Sequence, residues 1–88
     1  MFYTYILISK DGLKTYTGST SNLERRLLEH NDGKNRSSNP YAPYKIAHYE
    51  MFVSLKEARQ RERFYKSTTG RRKLKVLIMK WKADKNFS

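Results

Sequence analysis

The side chains best suited to chemistry include an arginine and a histidine beside the apolar face of a predicted helix. Arg26 and His30 are four residues apart and lie next to the stripe formed by Leu23 and Leu27. Singly, Arg26 could be a snorkelling side chain at the core edge, and His30 a histidine favoured by the helix dipole. As an i, i+4 pair they point toward one place beside the sheet. The adjacent Arg25 points away, toward solvent or phosphate.

A glutamate occupies a similar position in a second predicted helix. Glu62 lies in the middle of the packing face, whereas Glu57 faces water. A carboxylate on an apolar stripe needs a partner, because burying it bare costs several kcal/mol. Glu62 is therefore either ion-paired with Arg26 or Arg59, or a ligand of a hard divalent cation that water and substrate phosphate also coordinate. With 8 acidic residues and no DxD or HExxH pattern, the chain can build a one-metal site at most.

The stretch TYTGST at 15–20 adds a hydroxyl group and a glycine. Tyr16 stands two residues before Gly18, one of 4 glycines in the chain. The stretch reads either as a strand end running into a turn, or as a phenol beside a glycine that lets the backbone pass close to a substrate.

A small sheet covered by helices must position these side chains. Residues 2–9 are apolar almost throughout and predict a strand covered on both faces. Further strands are predicted over 14–18 and 45–52, and helices over 22–31 and 55–67. A third, amphipathic helix contains Leu74, Leu77, Ile78 and Trp81. The order β-β-α-β-α-α predicts an α/β (α+β) domain with helices flanking a three-stranded sheet.

Local signals mark the boundaries of these elements. Asp11-Gly12 predicts a hairpin turn. The spacing of Ser21 to Glu24, and of Ser54 to Glu57, predicts a capping box at the first and second helices. We expect Gly33 to end the first helix, Gly70 to interrupt the chain before the third, and residues 32–44 to form a long polar loop.

Charge indicates the kind of partner. The net charge is +11, and residues 54–82 carry +9 of it, with 11 Lys/Arg against 2 Glu. So concentrated a field predicts a polyanion as partner, although a solubility device is the alternative.

Length and composition exclude several classes of protein. The 88 residues predict one domain over 1–83 with a disordered tail at 84–88. There are no cysteines, which fits a reducing compartment, and we expect a cytoplasmic protein. No apolar run is long enough to span a membrane, and the start reads as a strand and not a signal peptide. Without GxxxxGK[ST] or GxGxxG, we expect no nucleotide cofactor.

Four motifs in order resemble those of the GIY-YIG nuclease superfamily. They are Tyr3-Thr4-Tyr5, Tyr16-Thr17-Gly18, the L-E-R-R-L segment 23–27 with His30, and R-E-R at 61–63. The chain is most similar to small single-domain, URI-type members, including the K-S-x-x-G-R sequence at 66–71. In this chain Tyr3 replaces the first-motif glycine and Thr4 its aliphatic residue. The asparagine that several larger members carry after the glutamate is absent from 63–83, although Asn86 lies in the tail.

The resemblance implies an antiparallel three-stranded sheet and hydrolysis of a DNA phosphodiester with one Mg²⁺ or Mn²⁺ ion, in DNA repair or recombination. It implies catalytic roles for Tyr5, Tyr16, Arg26 and His30, metal binding by Glu62, and a structural role for Gly18. Tyr5 would accept the proton of the attacking water, with Arg26 or the metal favouring its phenolate. His30 would be either a proton shuttle or a hydrogen-bond partner.

The basic side chains would then supply affinity for DNA. The expected phosphate contacts are Arg25, Lys34, Arg36, Lys66, Arg71, Arg72 and Lys73. Such binding is largely sequence-blind, so selectivity would rest on DNA structure, such as branches, nicks or single strands. The main alternative is a catalytically weak nucleic-acid-binding module on the same fold. An RNA-associated basic protein is a further possibility, although the chain lacks the RNP-type aromatic motif.

Overall fold

The computed structural model describes residues 1–10, 12, 14–32 and 43–83. These ranges form, in order, β1 (Phe2–Ser9), β2 (Thr15–Thr20), α1 (Leu23–Asn31), β3 (Tyr44–Phe52), α2 (Leu55–Lys66) and α3 (Thr68–Ala83). The strands make one antiparallel sheet in the order β2-β1-β3, which confirms the predicted fold. The predicted cap at Gly33, the inside of the loop and the tail at 84–88 lie outside the described residues.

The central strand β1 is covered on both faces, as its apolar run predicts. Since neighbouring residues of a strand point to opposite faces, β1 supplies two separate packing surfaces. Ile6 packs against Tyr65 and Leu74 of α2 and α3. Tyr5 and Leu7 pack on the other face, against the apolar side of α1. The sheet therefore separates one face covered by α1 from another covered by α2 and α3.

The junction between β2 and α1 differs from the prediction. The strand continues to Thr20, past the predicted end at residue 18, and Asn22 caps the helix in place of Ser21. The Thr20 hydroxyl accepts from the Asn22 N–H at 3.1 Å, and Asn22 Oδ1 accepts from the Arg25 N–H at 3.0 Å. The predicted capping box at Ser21 is wrong, because the longer strand moves the cap one residue along the chain.

The α2–α3 junction explains the K-S-x-x-G-R sequence. Ser54 and Glu57 form the predicted capping box of α2, and Ser67 ends that helix. The Ser67 hydroxyl then accepts from the Gly70 N–H at 3.2 Å, at the start of α3. A side chain on Gly70 would overlap the Phe64 carbonyl, so this glycine permits a close approach. Gly70 does not interrupt the helix, which begins two residues earlier at Thr68.

In the described part of the chain, no helix is both long enough and apolar enough to cross a bilayer.

Candidate active site

The site begins where the Tyr5 hydroxyl reaches the edge strand. The register places Tyr5 of β1 beside Gly18 of β2. A Cβ built on Gly18 would overlap the hydroxyl group and ring of Tyr5. This approach therefore requires glycine at position 18, because the absence of a side chain leaves room for the Tyr5 hydroxyl oxygen against β2.

Two side chains of α1 bind or approach that oxygen. Arg26 Nε donates a hydrogen bond to the Tyr5 hydroxyl at 3.1 Å, and His30 Nε2 lies 3.5 Å from the same oxygen. The Tyr16 ring packs edge-on against the His30 ring, with centroids 4.3 Å apart. The structure thus brings together all four predicted catalytic residues. The α1-side cluster, as we name it, is Tyr5, Tyr16, Arg26 and His30.

Burial controls the charges within the α1-side cluster. Desolvation raises the pKa of Tyr5 and outweighs the hydrogen bond from Arg26, which alone would lower it. Burial, together with the Arg26 charge, lowers the pKa of His30. The hydrogen bond to Tyr5 raises the pKa of Arg26. At neutral pH the cluster holds a phenol, a guanidinium and a neutral imidazole, so His30 is not the dipole-stabilised cation considered above.

The two adjacent arginines have the different orientations that the helical period predicts. The Arg25 side chain is 67% exposed, and its Nε lies 4.0 Å from Glu29. The Arg26 side chain is 35% exposed, because its Nε turns inward to Tyr5 while Nη1 stays 3.7 Å from Glu29. The Arg26 side chain therefore extends from the buried Tyr5 hydroxyl to the surface of α1.

Glu62 approaches the same edge strand from the opposite face. Ser19 Oγ donates to Glu62 Oε1 at 2.6 Å. Ser19 follows Gly18 directly, so its side chain points to the α2 face while Gly18 opposes Tyr5. The Tyr5 hydroxyl and the Glu62 carboxylate thus meet β2 at consecutive residues, close enough for the Glu62 charge to act on the pKa of Tyr5.

The ion-pair partner of Glu62 is neither of the two arginines considered from the sequence. Lys66 Nζ donates to Glu62 Oε2 at 2.7 Å, one helical turn further along α2. Arg26 lies on the other side of the sheet, and Arg59 adds only a weaker charge effect. Burial alone would raise the pKa of Glu62, but the hydrogen bonds from Lys66 and Ser19 lower it overall, so the group is ionised.

Glu62 is a candidate ligand for one metal ion at most. Among the described residues, no three His, Cys, Asp or Glu side chains are grouped as a metal site would need. A single ionised carboxylate suits a hard divalent cation that takes its other ligands from water and phosphate oxygens. The Lys66 ammonium occupies Oε2, so a metal ion on this carboxylate would compete with it.

The predicted phosphate-binding residues are in different surroundings. Lys66 contacts Glu62, and Arg71 lines a groove between β2 and α3. Arg25 and Arg72 are exposed, whereas Lys73 Nζ lies over the Phe64 ring, 5.9 Å from its centroid. Lys34 and Arg36 lie outside the described residues.

Sequence reasoning missed Ser19, although strand alternation in β2 indicated the face on which its hydroxyl lies. A helical wheel gives the direction of Glu62 relative to α2 but not the group that it meets. Because Gly18 faces α1, strand alternation turns the next hydroxyl, that of Ser19, toward α2. The approach of a carboxylate to Ser19 depends on which face α2 covers.

A second polar cluster lies across the sheet from the α1-side cluster, between β3 and α2. Glu50 accepts from Arg61 Nε at 3.0 Å and from the Tyr65 hydroxyl at 2.5 Å, and His48 Nε2 lies 3.2 Å from it. Burial opposes the Glu50 charge, yet these hydrogen bonds lower its pKa overall. We name His48, Glu50, Arg61 and Tyr65 the α2-side cluster.

Comparison with known proteins gives consistent matches. The profile of the GIY-YIG catalytic domain matches residues 1–75. A UPF0213 protein of Clostridium perfringens is 36% identical over 88 residues, covering 99% of this chain and 94% of that protein. One from Syntrophus aciditrophicus is 41% identical over 78 residues, covering 85% and 87%. The solution NMR structure of the UPF0213 protein BH0048 from Bacillus halodurans has a TM-score of 0.51 at 33% identity, covering 91% and 86%.

Proposed function

The chain belongs to the GIY-YIG nuclease family, and from this premise we propose that it is a divalent-metal-dependent endonuclease that hydrolyses phosphodiester bonds in DNA. One observation carries the proposal. The Tyr5 hydroxyl, between Arg26 and His30, meets β2 at Gly18, and ionised Glu62 approaches the next residue of the strand. A proton-transfer group, a cation for phosphate and a carboxylate for a metal thus converge on one strand edge.

The proton of the attacking water passes through Tyr5 to His30. Burial keeps Tyr5 a phenol, so it accepts a proton only while releasing its own. The acceptor is Nε2 of neutral His30, 3.5 Å away, in the tautomer protonated at Nδ1. The expectation that Arg26 would make Tyr5 a phenolate is replaced by this relay. The Arg26 hydrogen bond stabilises the negative charge that develops on the phenol oxygen during the transfer.

Three further groups bind or position the reactants. The outer N–H groups of Arg26 bind the scissile phosphate, because a planar guanidinium matches two of its oxygens. Tyr16 orders the water or contacts phosphate, and its ring keeps His30 in place. Glu62 would hold one Mg²⁺ or Mn²⁺ ion, which would supply Lewis-acid stabilisation of the charge on the phosphate and leaving oxygens.

A second candidate function is a nucleic-acid-binding module with little or no catalysis. One observation favours it, since both oxygens of Glu62 already accept hydrogen bonds, from Ser19 and Lys66. A structural carboxylate would look the same. The two functions differ in whether a metal ion takes the place of Lys66 on Glu62.

The test compares two glutamates of α2. Nicked, branched and single-stranded DNA are incubated with Mg²⁺, Mn²⁺ or EDTA and with wild type, Glu62→Gln or Glu57→Gln. Glu57 is matched because it lies on the same helix and Gln preserves its capping box. We expect metal-dependent cutting that falls at least about 100-fold in Glu62→Gln alone. Equal cutting by wild type and Glu62→Gln would overturn the nuclease assignment. DNA binding without cutting by any protein would favour the binding module.

The biological setting is also part of the proposal. We propose cleavage selected by DNA structure, because the expected contacts are to phosphate and carry no sequence information. We place this activity in repair or recombination, in the cytoplasm. Much faster cutting of one duplex sequence than of branched DNA at equal salt would contradict this selectivity.

A further inference from the structure

A basic groove runs beside the candidate active site, between the free edge of β2 and α3. Its volume is about 610 Å³. Its lining residues in the described part of the chain are Thr15, Tyr16, Thr17, Tyr65, Lys66, Arg71, Leu74, Lys75, Ile78 and Met79. We propose that this groove binds one strand of the nucleic-acid substrate next to the scissile phosphate, with phosphates on its cations and bases on its apolar wall.

Charge is the first argument for this occupant. Lys66, Arg71 and Lys75 line the groove, and none of the described lining residues is acidic. Arg71 and Lys75 are one helical turn apart and face the same side of α3. Two cations at that spacing, with Lys66 beyond them, can follow the charges of a strand backbone, as channels for single strands do.

The wall between the cations is the second argument. Leu74 is buried and Ile78 half-buried on the same face of α3 as Arg71 and Lys75, so Met79, which is 65% exposed, supplies the open part of that wall. Exposed apolar atoms among cations suit a ligand that has both charge and flat apolar surfaces. A nucleotide strand has both, whereas inorganic polyphosphate has only charge.

Position is the third argument, and it joins the groove to the proposed chemistry. Lys66 both lines the groove and donates to Glu62 at 2.7 Å. Tyr16 lines the groove and also packs on His30. A strand in the groove would therefore lead to the point where Glu62 and the α1-side cluster meet β2. The inference rests on the proposed function only in taking the ligand to be nucleic acid.

Affinity of matched variants for a labelled oligothymidylate of about 12 nucleotides, measured in EDTA, tests the groove without cleavage. Lys75→Glu is compared with Lys80→Glu, which makes the same charge change on another side of α3. We expect about tenfold weaker binding for Lys75→Glu and less than about threefold for Lys80→Glu. Equal weakening would mean a general charge effect and overturn the groove.

A second pair tests the contact with bases. Met79→Gln is compared with Val76→Gln, because Val76 is also exposed, at 55%, but is not among the described lining residues. We expect Met79→Gln to weaken oligothymidylate binding about threefold without changing inorganic polyphosphate binding. No selective loss would overturn the proposal, since the groove would then recognise charge alone. Polyglutamate that competes as well as oligothymidylate at equal charge would overturn it in favour of an acidic peptide on the β2 edge.

These results separate the groove from the catalytic proposal. A protein that never cuts DNA but shows both contrasts retains the groove and loses the nuclease function. A protein that cuts DNA with neither contrast retains the nuclease function and loses the groove.

Discussion

The α1-side and α2-side clusters contain almost the same side chains and differ in where the carboxylate lies. Each has a tyrosine, an arginine and a histidine. In the α2-side cluster, Glu50 lies at the centre and accepts hydrogen bonds from Arg61 and Tyr65. The α1-side cluster as defined has no carboxylate, and Glu62 lies across the sheet from it, bonded to Ser19 and Lys66.

In the proposed function, this difference is what would let the α1-side cluster bind phosphate and transfer a proton. Glu50 uses the inner N–H of Arg61 and the Tyr65 hydroxyl, so those groups hold β3 to α2. Arg26 instead donates to a neutral phenol, and its outer Nη1 lies 3.7 Å from Glu29 on the partly exposed side of α1. A carboxylate set apart from its arginine can attract a metal ion while the arginine attracts phosphate. In the proposed function, Glu62 thus lies apart from Arg26 of the reactive cluster, whereas Glu50 is bonded directly to Arg61 of the structural one.

Substitution of Arg26 and of Arg61 should show the largest difference between the two clusters. We expect Arg26→Gln to lower DNA cleavage about 100- to 1,000-fold while changing the free energy of unfolding by less than about 1 kcal/mol. Arg61→Gln should do the reverse, since it removes a partner of half-buried Glu50 and costs about 1–3 kcal/mol with cleavage nearly intact. Cleavage rates and urea unfolding of both variants measure this. Similar losses of both properties in both variants would remove the distinction.

The contact between Gly18 and Tyr5 provides the next largest effect. Gly18→Ala inserts a methyl group against the phenol and should cost about 1–3 kcal/mol of stability through overpacking. Tyr5→Phe removes the hydroxyl group, the closest part of that contact. In the double variant we therefore expect part of the cost to be relieved, with a coupling of at least about 0.5 kcal/mol. Strictly additive costs in a thermal or urea double-mutant cycle would show that the two groups do not meet.

The pH dependence of stability separates the clusters further. The folded-state pKa of His30 lies below its usual 6.5, so the unfolded chain binds the proton more strongly. Its contribution is complete above pH 6.5 and is lost as the pH falls below that value. The pKa of Glu50 lies below its usual 4.5, so its contribution is lost only below pH 4.5. Urea midpoints against pH should lose the upper step in His30→Gln and part of the lower one in Glu50→Gln. An unchanged upper step in His30→Gln would contradict the assigned burial.

The smallest predicted effect concerns the cation on Glu62. Lys66→Met removes an ammonium that is 54% exposed at the side chain, so the pair itself contributes about 0.2–1 kcal/mol. Mn²⁺ should then bind Glu62 up to about fivefold more tightly, because the metal ion no longer competes with the Lys66 ammonium for the carboxylate. The affinity for oligonucleotide should fall, since Lys66 also lines the groove. Mn²⁺ titration of the two proteins measures the first effect, and weaker Mn²⁺ binding by the variant would contradict it.

The sequence predicts what depends on local periodicity and leaves open what depends on the assembly of elements. The helical period alone predicts that Arg26 points inward and Arg25 outward. Strand alternation predicts that Gly18 and Ser19 of β2 face opposite sides of the sheet. No local rule states that α1 and α2 cover opposite faces of the sheet. Because Arg26 and Glu62 both point inward from their helices, the sequence allowed an ion pair between them, which the sheet prevents. The choice of Asn22 over Ser21 as helix cap likewise depends on where β2 ends, which sheet pairing decides.

The most direct test of the central claim is single-turnover DNA cleavage by Tyr5→Phe beside Tyr65→Phe. Both substitutions remove one phenol oxygen from a buried ring, one in each cluster. The Tyr65 ring lines the groove, but its hydroxyl donates to Glu50, so the substitution removes a bond within the α2-side cluster and leaves the ring in place. If Tyr5 relays the proton to His30, Tyr5→Phe should lower the cleavage rate at least about 100-fold, and Tyr65→Phe should lower stability but leave the rate within about threefold. Equal rates for the two variants, or a larger loss in Tyr65→Phe, would contradict the account.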